Sequence, residues 1–424
     1  MNDAAVSDLS AHVDQLCARA KPAGIAIAGA SDAQRVAGLE AAALAIEAAS
    51  DSIIAANAQD LAAADSAGLS AAMLDRLRLD ATRLAGVVGD LRAVAAQTDP
   101  VGRVLDERGI AQGLQLQKIS VPLGVVCIIF ESRPNVTVDA AALCVRSGNA
   151  CILRGGKEAV HSNRAFAAAF RHGLETAGLN PDAVQLVQEQ DRALVPLLLA
   201  RSDAIDIVVP RGGEGLIKAV CEVSKIPVVK HDKGVCSLYI HAKANLAMAV
   251  ELVLNAKCQR PGVCNAIENL LVDAAIAPTA LPLLSTALTQ AGVTVRACER
   301  ALPLLPGAEA ATAADWDEEY LNLTLAVKVV DDLDDALAFT AAHSSQHSDG
   351  IITDDTEAAE RYLRTVDSSA VYHNASTRFT DGAQFGLGAE VGISTNRLHA
   401  RGPMGISELC TYKYVVRGTG QARA

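Results

Sequence analysis

Between Leu123 and Val235, apolar runs of strand length alternate with helical stretches, and this alternation constrains the fold more than any other feature of the chain. GVVCIIF reads as a buried strand, VTVDAAALCVRSG as a helix closed by Gly148, and ACILRGG as the next strand. A long alanine-rich helix follows Glu158. AVQLV is a strand from Ala183, ALVPLLLAR a helix, and AIDIVVP a strand that runs into RGGEG. Helix GLIKAVCEVS and strand IPVVK complete the series. Strands that alternate with helices need crossover connections, which predicts an α/β fold with a doubly wound parallel sheet and ligands beyond the carboxyl ends of its strands. The first hundred residues read as helices, amphipathic around Val36 to Gln59, packed on one flank of that sheet.

A chain of 424 residues that is half hydrophobic and poor in aromatics has room for two or three domains with large cores. The net charge of −12 argues against a nucleic-acid or anionic-membrane partner. No basic N-terminal stretch leads into an apolar region, and no run approaches roughly twenty apolar residues, so a cytoplasmic location is expected. The ten cysteines show no C-x-x-C pair and no zinc spacing, which predicts free thiols in a reducing compartment and no metal site. Cys127, Cys144, Cys151 and Cys221 lie in apolar runs and read as core.

Cys264 is different. It stands in NAKCQRPGVCNA, where Pro261 and Gly262 break regular structure just before the sulfur. Nearby Lys257 and Arg260, with any helix that follows, would favour the thiolate. The residues alone leave two alternatives open: a small buried hydrophobe, or Cys258 as the reactive thiol. Two glycine turns stand at strand-to-helix junctions, VPRGGEGLI with Gly212 and Gly213, and LRGGKEAVHSN with Lys157. Glycine lets backbone N–H groups approach a phosphate, and a lysine at a helix start gains from facing an anion. Neither turn has the full dinucleotide fingerprint, so plain tight turns stay open as well.

FESRPNVTVDAA, LRGGKEA, NAKCQRPGVCNA, HSSQHSDGIIT, VDSSAVYHNASTRFTDGAQFGLGAEVGIST and LHARGPMGISELCTYKY together resemble the γ-glutamyl phosphate reductase family, in order, from Ser120 to Tyr414. That family is a branch of the aldehyde dehydrogenase superfamily. The resemblance implies an NADP-binding domain over 1–107 and 121–235, a catalytic domain over 236–398, and a small oligomerisation element from 108–120 and 399–424. It implies reduction of L-glutamyl 5-phosphate by NADPH to L-glutamate 5-semialdehyde through a cysteine thioester, in proline biosynthesis. Cys264 is then the nucleophile and Asn135 the oxyanion-stabilising amide. Lys157, Gly212, Gly213 and Glu319 bind the cofactor. Arg133, Arg378 and Arg401 are candidates for the substrate's anionic groups, and Asp381 for its ammonium. A homo-oligomer is expected, with transient contact to the glutamate 5-kinase that makes the labile substrate.

Several departures matter. Hydrolytic aldehyde dehydrogenases carry a water-activating glutamate where this chain has VVKHDKGVC, and Asp232 is the one candidate for a displaced substitute. The acidic residue that in the superfamily repels a 2′-phosphate is replaced by Val160, followed by His161 and Ser162 as further donors, while Glu158 is expected to point away. Cys258 stands where threonine is usual, and Phe339 and Thr340 are less typical. His343, His347 and His399 read as structural hydrogen bonders. An acylating dehydrogenase that passes its thioester to coenzyme A would share Cys264 and Asn135, and a binding protein that kept only the fold would not need them.

Overall fold

The computed structural model describes residues 3–230 and 233–423. The chain divides into two units, one formed by 1–230, 386–392 and 404–424, the other by 231–385 and 393–403.

The first unit opens with helices α1 (Asp3–Gly29), α2 (Asp32–Ala48), α3 (Ser50–Ser66), α4 (Ala71–Leu77) and α5 (Ala81–Ala95), then strands β1 (Val104–Gly109) and β2 (Gln115–Pro122). The expected alternation follows: β3 (Val125–Phe130), α6 (Val136–Arg146), β4 (Ala150–Arg154), α7 (Val160–Thr176), β5 (Val184–Leu186), α8 (Leu194–Leu199), β6 (Ile207–Arg211) and α9 (Glu214–Val223). The four strands are parallel in the order β5-β4-β3-β6. All of β3 is buried, as a central parallel strand covered on both faces must be. Gly148 closes α6 at φ +74, letting the Asn149 N–H reach the Cys144 carbonyl at 2.8 Å.

Two expectations change. IPVVK is not a strand: only an isolated bridge joins Val228 to Val208, and Pro227 there has no N–H to donate. The N-terminal helices do not share one flank. Leu9, Val13, Leu16 and Cys17 of α1 pack on the β3 face that presents Cys127 and Ile129, in one core with Leu198 of α8 and Val220 of α9. By contrast α2 and α3 pack on α7, and α5 on α6. At the crossing of α2 and α7, a Cβ on Gly173 would stand 2.3 Å from the Ala42 Cα, so the two backbones touch. Cys221, expected in the core, is only half-buried.

The second unit runs β7 (Cys236–Ile240), α10 (Leu246–Cys258), β8 (Ile267–Asp273), α11 (Ala277–Gln290), β9 (Thr294–Ala297), β10 (Glu309–Ala310), β11 (Thr324–Val330), α12 (Leu333–His343), β12 (Ser348–Ile352), α13 (Thr356–Thr365) and β13 (Ala370–His373). These strands form a parallel seven-stranded sheet, β10-β9-β11-β8-β7-β12-β13. Strand alternation divides its core: Leu238, Leu270 and Val272 pack with α10 and α11, whereas Tyr239 and Leu271 pack with Phe339 of α12 and Tyr362 of α13. A short antiparallel pair, β14 (Ile393–Ser394) and β15 (Gly402–Pro403), completes this unit. The last strand, β16 (Cys410–Arg417), belongs to the first unit and pairs antiparallel with β2, making the sheet β1-β2-β16.

Candidate active site

Helix α10 ends at Cys258, and residues 259–266 turn before β8 begins. Cys264 is half-buried in that turn. A strand follows it, so the helix N-terminus that could have favoured a thiolate is not there. Lys257 does not serve that purpose either, because its fully buried ammonium donates to the Glu268 carboxylate and, at 3.0 Å, to the Ile267 carbonyl. Burial pushes the Glu268 carboxyl up to about 7 and lowers the Lys257 ammonium, while each partner opposes the shift of the other. The cations beside the turn are Arg260, which is exposed, and Arg378. Arg378 Nε donates to Gln259 Oε1 at 2.9 Å and Nη1 to Asn265 Oδ1, so one guanidinium ties both ends of the turn. Burial lowers its pKa, and repulsion from Arg260 adds to this. Asp381 and the Cys264 sulfur act the other way. Burial raises the Cys258 thiol, which favours Cys264 as the nucleophile of the two.

A polar floor supports the turn. The Asn265 side-chain amide donates to the Thr380 carbonyl at 2.8 Å, and the Asn265 backbone carbonyl accepts from Thr377 Oγ1 at 2.7 Å. Thr380 Oγ1 meets Ser348 Oγ at 2.6 Å and Tyr372 Oη at 2.7 Å. Buried Cys236 donates its thiol to the Cys264 carbonyl at 3.1 Å, and burial raises it well above the ordinary range, so it stays protonated. Gly234 packs directly against this turn. A Cβ there would stand 2.3 Å from the Cys264 carbonyl oxygen and 2.7 Å from Glu319 Oε1, which accepts the Gly234 N–H at 2.9 Å. The glycine therefore joins two residues singled out in the sequence, Cys264 and Glu319.

In the first unit, Glu131 to Asn135 follow β3 at the point where the chain order of the sheet reverses, between β3 and β6. Arg133 and Asn135 share this turn. The Asn135 amide donates to Asp139 Oδ2 at 2.8 Å, and Arg133 lies near enough to Asp139 to lower its pKa. Gly212 and Gly213 connect β6 to α9, and the Gly213 N–H donates at 3.0 Å to the carboxylate of Glu131. A Cβ on Gly212 would be 2.3 Å from that same carboxylate. At the other junction Lys157 is exposed. Glu158, expected to point away, instead folds back to accept from the Ser132 N–H at 2.6 Å and its hydroxyl at 2.7 Å. Ser162 is also corrected: it is fully buried, and its N–H (2.8 Å) and hydroxyl (2.6 Å) both donate to Asp60. His161 keeps an exposed side chain, although Asp60 accepts its backbone N–H at 3.1 Å.

Other candidates are tied elsewhere. Arg401 donates to the Asp367 carboxylate and carbonyl. Asp381 caps its own turn by accepting from Ala383 at 3.0 Å. Asp232 lies outside the described residues. Sequence reading missed Glu131, Gly234, Asn265 and Asp139, and only Asp139 left a local signal, its (i, i+4) spacing from Asn135 on one helix. Among the described residues no group of His, Cys, Asp and Glu could hold a metal ion, and no helix is long and apolar enough to cross a membrane.

Residues 5–300 match the aldehyde dehydrogenase family. The chain is therefore an oxidoreductase of the aldehyde dehydrogenase fold. The γ-glutamyl phosphate reductase of Symbiobacterium thermophilum is 52% identical over 406 residues, 93% of this chain and 95% of its own. That of Rhodospirillum rubrum is 49% identical over 426 residues, covering 100% of both chains. The crystal structure of the γ-glutamyl phosphate reductase from Thermotoga maritima, 38% identical, matches with a TM-score of 0.96 over 97% of this chain and 100% of that one. Within its class, the chain belongs to the γ-glutamyl phosphate reductase family.

Proposed function

We propose that the chain reduces L-glutamyl 5-phosphate to L-glutamate 5-semialdehyde and phosphate, with NADPH as reductant, in the cytoplasm and as a step of proline biosynthesis. The observation that carries this reading is the near full-length identity to γ-glutamyl phosphate reductases. The construction of the Cys264 turn supports it. The Cys264 sulfur attacks the acyl carbon, the carbon–oxygen bond to phosphate breaks, and a thioester remains. By the family resemblance, Asn135 donates to the acyl oxygen as it becomes anionic, an interaction worth roughly a hundred- to thousandfold in rate. Arg378 keeps the nucleophile's turn in shape, and with exposed Arg260 supplies positive charge for the departing phosphate.

The residues present fit a dinucleotide. The Gly213 N–H donates to the Glu131 carboxylate, so this turn can hold an anion, and a dinucleotide phosphate would take the place that the Glu131 carboxylate now fills beside Gly212. Lys157 and His161 remain as donors for a 2′-phosphate, and the Glu319 carboxylate is the acceptor for a ribose hydroxyl. When bound, the cofactor would supply hydride to the acyl carbon, after which the carbon–sulfur bond breaks, freeing the semialdehyde and restoring the Cys264 thiol. The domain ranges and the homo-oligomer expected from sequence, with the β1-β2-β16 sheet as the oligomerisation element, belong to the same proposal, as does contact with a glutamate 5-kinase.

The test is the reverse reaction: NADP⁺ reduction with glutamate semialdehyde, dependent on inorganic phosphate. Cys264→Ala is expected to abolish turnover while binding of the reduced cofactor, read by fluorescence, persists. Cys258→Ala is expected to keep most activity. Dependence on coenzyme A instead of phosphate, or loss of activity on removing Cys258 alone, would refute the assignment.

A further inference from the structure

We infer that Asp139 is a positioning residue for the reaction: its carboxylate holds the Asn135 amide with one N–H turned toward α6 and the other left to donate to the acyl oxygen. The inference rests on the reading of Asn135 given above. Asn135 begins α6, with its backbone carbonyl accepting from Val138 at 2.9 Å and Asp139 at 3.0 Å. An asparagine at this place ordinarily uses its side-chain oxygen to cap the helix. Here it makes no cap bond, and its Nδ2 donates to Asp139 Oδ2 at 2.8 Å.

A carboxylate can only accept, so it distinguishes the two ends of an amide that are alike in shape. Rotating the amide by half a turn would bring its oxygen against the Asp139 oxygen, two acceptors with no proton between them. The bond to an anion also polarises the amide, which strengthens the second N–H as a donor. A protonated Asp139 removes this choice, because its O–H can donate to the amide oxygen as readily as its carbonyl can accept from Nδ2.

The surroundings bring that change near neutral pH. Burial pushes the Asp139 carboxyl up to about 7. Asp90 of α5 adds to the rise, while the Asn135 bond, Arg211 of β6 and Arg133 oppose it. The charged groups of α2, which also packs on α6, are engaged elsewhere: Arg35 with Asp99, Glu40 and Glu47 with Arg92, and Asp32 with Arg146 at the far end of α6. From α7 the contact is the neutral Asn163, which accepts from Thr137 at 3.0 Å.

The test measures kcat and KM in the phosphate-dependent reverse reaction across pH for wild type, Asp139→Asn, Asn135→Ala and the double variant. Phosphate and the thiol titrate in all four, so the ratio of profiles isolates Asp139. Asp139→Asn is expected to lower kcat roughly tenfold at pH 8 with KM nearly unchanged, a part of what a full oxyanion donor supplies. That ratio should shrink toward one below pH 7, and Asp139→Asn should cost nothing further once Asn135 is alanine. Equal losses in kcat and KM, a ratio independent of pH, or an added loss in the double variant would overturn the inference. Undiminished kcat in Asn135→Ala would sink the reading of Asn135 first; a slow Asn135→Ala with a normal Asp139→Asn would sink only this one. If Asp139→Asn folds poorly, the wild-type acid limb should still vanish in Asn135→Ala, and its survival would decide against the proposal.

Discussion

Single residues decide which of the sequence motifs can act as chemistry. Val160 is the first residue of α7, and the carboxylates nearest to it are already committed, Glu158 to Ser132 and Asp60 to the His161 and Ser162 N–H groups. Val160→Glu would add an uncommitted carboxylate there, repelling a 2′-phosphate and accepting from a free ribose hydroxyl. The ratio of kcat/KM for NADPH over NADH is expected to fall by roughly tenfold or more, since a shift of about 1.4 kcal/mol suffices. An unchanged ratio would show that the adenosine end is read elsewhere. The chemical types at this site were legible: a cysteine after Pro-Gly, a lysine at a glycine turn. Their partners were not. Arg378 meets Asn265 across 113 residues of chain, and a one-dimensional pattern has no means of placing a guanidinium at that distance. For the same reason a lysine next to the turn read as a cation for Cys264, when in three dimensions Glu268 claims it.

Whole elements were easier to read where a strand is buried along its length and punctuated by glycine. β3, β4 and β6, and the closure of α6 at Gly148, follow from apolar runs and one residue free to take positive φ. IPVVK failed because hydrophobicity alone cannot report that a ladder lacks a donor. The division of the helical run around Val36 to Gln59 into α2 and α3 also escaped, since alanine at position 49 carries no breaking signal. Contact between elements was least visible, and Gly173 shows why. In sequence it is a weak point in a long helix, whereas in the fold it lets α7 meet α2 backbone to backbone. Gly173→Ala should raise intrinsic helix propensity yet destabilise the protein by about 1–3 kcal/mol, because the new methyl meets a main chain that cannot turn aside. Thermal or urea denaturation would measure this, and a gain in stability would mean that the helices separate freely.

At the scale of the whole molecule, the β1-β2-β16 sheet is the part least able to satisfy itself. β16 is an edge strand, its Tyr412, Tyr414 and Val416 are each about half exposed, and Val104 and Leu105 of β1 add to the uncovered apolar surface. Self-association through this sheet would cover it. Tyr414→Glu is accordingly expected to shift sedimentation toward the monomer, with the far-ultraviolet circular dichroism unchanged; an unaltered sedimentation coefficient would place any assembly contact elsewhere. The same sheet bears on how the chain is made. Arg417 of β16 bonds Gln117 of β2 from 300 residues downstream, so during vectorial synthesis β2 leaves the ribosome long before its partner exists. At bacterial and eukaryotic elongation speeds the wait is roughly 15–60 s, longer than most folding steps of a single domain. Through that interval β2 has an open edge, and the nascent chain, rather than the finished enzyme, is the form most exposed to mispairing and most in need of a chaperone.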